Sequence, residues 1–240
     1  MTTILILGSA PDAVEAAAFP RAAFDRIVAI NNAWRIRPDW DDLIHPWDFP
    51  PDRLPQATGP AQCIVTEDAF VPAQNAFGGF VYAGATMAFT AGYWALHHYR
   101  PRVIAYFGCD MVYPATGRTH FYGTGEPDPL RPDITLRSLE AKSARLLALA
   151  ARAGTAVVNL SPRPSRLLFP RASVAGLAVC RPHPLRDCAA EAALRREARL
   201  GYVVPSGRYW EDTARFDPRA LDRLDRLWLG AIRPPGRVAA

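Results

Sequence analysis

The residues best suited to chemistry lie in one polar, glycine-rich stretch, Gly117-Arg118-Thr119-His120-Phe121-Tyr122-Gly123-Thr124-Gly125. It holds a single histidine between aromatic residues. A histidine near its ordinary pKa can take a proton from a hydroxyl at neutral pH. Tyr113 and Tyr122 can donate hydrogen bonds to a departing oxyanion such as a phosphate. Just upstream stands Gly108-Cys109-Asp110-Met111. Asp110 would sit where a ribose or sugar hydroxyl, or a metal, could be held, with helix capping as its structural alternative. Gly108 would let a ligand approach the backbone closely.

Three further groups carry chemistry of binding rather than proton transfer. Gly8-Ser9-Ala10-Pro11-Asp12 reads as a tight turn opening a helix, whose free N–H groups and serine hydroxyl suit phosphate. Asn31-Asn32 offers two amides that both donate and accept, as a nucleobase or ribose requires, or else forms a turn. Asn159-Leu160-Ser161-Pro162 could line the same cleft through Asn159 or Ser161, or simply cap a strand. Gly84, at the start of a helical stretch, joins Gly8, Ser9, Ala10, Asn31, Asn32, Gly108, Asp110 and Ser161 in the nucleotide-binding set. His45 has no chemical partner in the sequence and reads as structural. His97 and His98 are adjacent on a helix and do not face each other, so no metal site is expected.

Positioning these groups requires a sheet. Short apolar runs rich in β-branched residues predict buried parallel strands at Thr3–Leu7, Arg26–Ile30, 103–108 and 155–160, with a weaker one at 62–66. Helical patterns fall between them at 10–19, 85–98 and 134–153. In the last, Leu136, Leu139, Ala144, Leu147 and Ala151 share a face, while Arg137, Glu140, Lys142 and Arg145 mostly lie away from it; Gly154 stops the helix. Alternation of strands and helices predicts an α/β fold: a Rossmann-like, doubly wound, mainly parallel sheet. Ligands then bind outside the carboxyl ends of the strands, where the candidates above collect. Neither GxGxxG nor GxxxxGK[ST] occurs, which argues against an ordinary NAD-binding domain and a P-loop kinase.

Residues 1–172 would form this catalytic domain, and 173–240 a short C-terminal helical appendage or lid. Its amphipathic, Arg-rich helices at 189–200 and 218–229 flank a Gly/Pro-rich link at 204–207. Leu221, Leu224, Leu227 and Trp228 would form one apolar stripe, for packing on the sheet or for meeting a partner or membrane. The 240 residues, half of them hydrophobic and 10% aromatic, suffice for a real core. No apolar run approaches the ~18 residues of a membrane span, and no signal-peptide pattern opens the chain. The four scattered cysteines suit a reducing compartment, hence the cytoplasm. Of the 28 basic residues only Lys142 is a lysine. That bias reads as genomic habit, so no nucleic-acid partner is inferred from the net charge of +5; an anionic small molecule or peripheral contact with the inner membrane fits as well.

Taken together, these motifs resemble the bacterial sialyltransferases of glycosyltransferase family 42 and the broader sialyltransferase-like group. The family's turn, strand-end and loop patterns fall on Gly8-Ser9-Ala10-Pro11-Asp12, Asn31-Asn32, Gly108-Cys109-Asp110-Met111 with Tyr113, and Thr119-His120-Phe121-Tyr122-Gly123. Its long helix and closing segment fall on 134–153 and Pro164-Ser165-Arg166-Leu167-Leu168. The similarity runs in order across roughly residues 3–172. It implies a CMP-sugar donor, no cofactor, a glycan acceptor and inverting transfer without metal. His120 would be the general base, with tyrosines steadying the leaving CMP. The pterin diphosphokinase-like proteins share the G-S-x-P turn and the G-x-D strand end; their chemistry would need ATP, Mg²⁺ and more carboxylates than Asp110. A non-catalytic nucleotide- or glycan-binding protein is the third reading.

Overall fold

The computed structural model describes residues 2–125 and 128–232; the end of the expected appendage, 233–240, lies outside the described residues. Six strands form one sheet: β1 Thr3–Leu7, β2 Arg26–Ile30, β3 Asp42–Ile44, β4 Cys63–Val65, β5 Val103–Phe107 and β6 Ala156–Asn159. All pair in parallel, in the order β4-β3-β2-β1-β5-β6. The chain builds outward from β1 to β4, then crosses back to lay β5 against the other side of β1. The order therefore reverses between β1 and β5, and this is where a doubly wound sheet opens a crevice at its carboxyl edge.

The helices are α1 Glu67–Ala76, α2 Phe80–Ala83, α3 Met87–Tyr99, α4 Leu139–Arg152, α5 Asp187–Leu200 and α6 Pro218–Ala231. Burial on both faces explains the unbroken apolar character of β1 and β5. Ile4, Ile6, Ile104 and Tyr106 face a cluster with α3, while Leu5, Leu7, Ala105 and Phe107 pack with Ala13, Ala16, Phe24 and Leu177 on the opposite side. Side-chain caps set two helix starts. Thr86 accepts from the Phe89 N–H at 3.3 Å before α3, and Ser138 from the Ala141 N–H at 3.1 Å before α4.

Several features differ from expectation: α1 falls outside the expected helical stretches, and α4 begins at Leu139 rather than at 134. The helix expected at 10–19 shrinks to a 3₁₀ segment, Ala13–Ala18, because Pro20 follows immediately and prevents propagation. The β3 strand, only three residues long, leaves no periodic signal. Lys142 and Arg145 do not face solvent. Both are buried, because α5 and α6 cover that side of α4 rather than packing on the sheet. Lys142 pairs with Asp225 at 3.0 Å. Arg145 grips Glu197 at 2.7 and 2.8 Å and donates to the Tyr93 hydroxyl at 2.8 Å, while the Trp228 indole donates to Glu197 at 2.7 Å. The expected stripe is turned inward: Leu221, Leu224 and Trp228 are buried in this third cluster and Leu227 packs against it. These ion pairs fix the C-terminal helices to α4. Among the described residues, no helix is long and apolar enough to cross a membrane.

Candidate active site

At the reversal point, the turns leaving β1 and β5 press together. The Gly8 N–H donates to Phe107 O at 2.8 Å, and the Ala10 N–H to Gly108 O at 3.0 Å. A methyl group on Gly8 would lie 2.3 Å from Gly108 O, and one on Gly108 2.7 Å from the Ala13 side chain, with φ already at +71°. The two glycines thus permit the close approach of one turn to the other. Two N–H groups expected to be free for phosphate are consumed in this way. The Ser9 hydroxyl remains available at the rim.

Above these turns lies a cavity of about 590 Å³. Gly8, Ser9 and Ala10 form one wall, Asn31 and Asn32 from the end of β2 a second, and Gly108, Tyr113, His120 and Tyr122 a third. The histidine loop is tied to the floor, because the Phe121 N–H donates to Ser9 O at 3.1 Å. A narrow β-bridge, with His120 and Gly123 exchanging N–H···O bonds at 3.0 and 3.1 Å, holds the loop tip. The Tyr122 ring lies nearly parallel to the imidazole at 5.0 Å, and the Tyr113 ring stands 6.0 Å away.

Counting donors around Thr119 gives one self-consistent tautomer for His120. The Thr119 hydroxyl has one proton, given to Gly125 O at 2.9 Å; its oxygen accepts the Gly125 N–H at 2.9 Å. Its remaining neighbour is His120 Nδ1, also at 2.9 Å. Assigning the hydroxyl proton to Gly125 O makes Nδ1 the donor and leaves Nε2 its lone pair. Burial also holds His120 below its usual value near 6.5. Both features favour a neutral imidazole with Nε2 ready to accept a proton.

Two binding features complete the cavity. Oδ1 of Asn31 and Oδ1 of Asn32 are buried and have no hydrogen-bond partner, and Asn31 adopts a left-handed backbone at φ +52°. An unpartnered buried amide costs stability and is repaid by a donor from a ligand. Arg35 and Arg53 also line the cavity, and neither has a carboxylate partner among the described residues. Among the described residues the lining contains no Asp or Glu. Such a space suits an anion whose other end offers N–H or O–H donors.

Three of the candidates fall outside this lining. Asp110 turns back into the fold: its Oδ1 accepts from Asn159 Nδ2 at 2.9 Å and faces Arg171 at 3.8 Å. Ser161 is buried, accepting the Arg163 N–H at 3.2 Å while its own N–H donates to Asn159 Oδ1 at 2.9 Å. These residues and Asn159 knot the β6 exit to the β5 exit, a positioning task. Gly84 sits at φ +88° against Phe89 and Lys142. His45 is buried with Nδ1 2.8 Å from Pro46 O, a structural contact, and His98 stacks on Trp94. Among the described residues no group of three or more His, Cys, Asp or Glu could hold a metal ion. Arg35, Arg53 and Thr119 were not singled out from the sequence. The two arginines lie beyond a strand end, indistinguishable in type from 25 others, so only the fold reveals them.

Comparison of the chain with protein-family models, with characterised proteins and with solved structures finds no match to any of them.

Proposed function

We propose that the protein is an inverting glycosyltransferase of the sialyltransferase type, moving a nonulosonic acid from a CMP-activated donor to a hydroxyl of a glycan, with no metal or other cofactor. One observation carries the reading: a half-buried imidazole stands over a cavity whose described lining holds no carboxylate but has two arginines without a carboxylate partner among the described residues, and two orphaned amide oxygens. The amide oxygens of Asn31 and Asn32 match the N–H and O–H donors of a cytosine and its ribose. Arg35, Arg53 and Ser9 suit the phosphate and the sugar carboxylate.

In the reaction, Nε2 of His120 removes the acceptor hydroxyl proton as its oxygen bonds to the anomeric carbon. The bond from that carbon to the phosphate oxygen breaks on the opposite face, inverting the centre, and CMP departs with the electron pair. The arginines and the Tyr113 and Tyr122 hydroxyls stabilise the charge on the phosphate. In this reading fixed cations perform the electrostatic task that a divalent cation performs elsewhere. We place the protein in the cytoplasm, working on surface-polysaccharide intermediates. Because the apolar stripe of α6 is buried, peripheral contact with the inner membrane would run through arginines.

A thermal-shift panel tests this reading. CMP should raise the melting temperature with EDTA present. Stabilisation by ATP only with Mg²⁺ would instead indicate the diphosphokinase-like chemistry, and CMP binding without any transfer would indicate a binding protein.

A further inference from the structure

A second, larger cavity of about 970 Å³ opens beside the first. Asn31 and Met87 line both, so the two spaces adjoin at these residues. Its walls come from the loop after β3, from α1, and from residues 206–211 of the C-terminal segment. The chemistry reverses that of its neighbour. Asp48, Glu67, Asp133 and Glu211 stand against only Arg131 and Arg208, and six aromatic residues share the lining.

The aromatic groups are arranged in two ways. Phe80 and Tyr209 stack at 6.3 Å, and the Tyr209 hydroxyl donates to Asp133 at 2.7 Å, so this part is rigid and satisfied. Trp47 and Trp210 are different: they are 69% and 50% exposed, Trp210 meeting the Tyr209 ring edge-on at 5.4 Å. Asp48 and Glu67, also exposed, have no ion-pair partner among the described residues. Flat apolar faces beside free hydrogen-bond acceptors suit a ligand that is itself apolar on its C–H faces and rich in hydroxyl donors at its edges. The excess of carboxylates disfavours an anion there.

We propose that this cavity is the acceptor subsite and takes a neutral oligosaccharide, with Trp47 and Trp210 as its platforms. The inference rests on the transfer reading, since a glycan must sit next to the nucleotide-sugar for its hydroxyl to reach the donor. It also gives the C-terminal segment a task, which is to complete the acceptor wall.

The test is saturation-transfer difference NMR on the full chain with lactose, N-acetyllactosamine and maltose at millimolar concentration, with and without saturating CMP. At least one sugar should give signals that survive CMP. Trp47→Ala and Trp210→Ala, both surface changes, should weaken them at least fivefold while the CMP-induced thermal shift stays as in the wild type. No sugar signal from a folded wild-type chain that binds CMP overturns the acceptor assignment and leaves the nucleotide site standing. Sugar signals unchanged in both variants also overturn it. Sugar binding in a chain indifferent to CMP keeps a sugar site here but overturns the nucleotide reading and, with it, the acceptor role.

Discussion

The backbone N–H of Phe121 donates to the carbonyl of Ser9 at 3.1 Å, binding the histidine loop to the turn that leaves the first strand. This contact joins segments more than a hundred residues apart, and it places the His120 ring in the lining of the switch-point cavity. The floor itself depends on Gly8, where a methyl group would meet Gly108 O at 2.3 Å. Gly8→Ala should therefore destabilise the fold by about 1–3 kcal/mol, the usual cost of overpacking, in urea unfolding. An unchanged midpoint would mean that the two turns are not pressed together.

Asn32 offers a test in which stability and binding move in opposite directions. Its side chain is 2% exposed and its Oδ1 has no partner. Asn32→Leu removes the orphaned oxygen and should stabilise the unliganded chain by ~1 kcal/mol, while CMP affinity falls at least tenfold. Loss of both stability and binding would show that the amide is structural.

Thr119 acts through His120 by its 2.9 Å contact with Nδ1, whose proton it receives in the assigned tautomer. Thr119→Val leaves that N–H without its acceptor, and transfer should fall by about 10- to 100-fold, the scale of lost orienting partners. CMP affinity should stay unchanged, and Thr119→Ser should restore the rate. Because burial depresses His120, kcat/KM should rise through a pH below 6.5 and level off above it. The same depression has a sign for stability. Between the folded pKa and 6.5 the unfolded chain binds more protons, so this residue's contribution to stability is complete above 6.5 and declines as the pH falls through that window.

The sequence exposes much of this arrangement because β1, β2 and β5 are buried on both faces and so read as plain apolar runs. The turns at Gly8, Asn31 and Gly108 then meet at one edge by topology alone. What it hides are long-range partnerships. Asp110 looks identical whether it faces a ribose or, as here, Asn159. Lys142 and Arg145 look like solvent-facing charges until Asp225 and Glu197 arrive from helices some fifty to eighty residues later. A helical period records which positions are apolar, and it carries no information about a buried cation with a distant counter-charge.

The Arg145–Glu197 pair is the anchor of the C-terminal helices, with side chains 1% and 7% exposed. Glu197→Ala would strand a buried guanidinium and should cost about 3–5 kcal/mol. A loss under 1 kcal/mol would mean that these helices are only loosely held.

The account turns on the imidazole of His120 as the base. The direct measurement is sugar transfer by His120→Ala, with CMP affinity determined on the same preparation. Transfer should drop by about 10²–10⁴-fold, the usual share of a general base, while CMP binds within a few-fold of wild type. A variant that transfers sugar at the normal rate would contradict it.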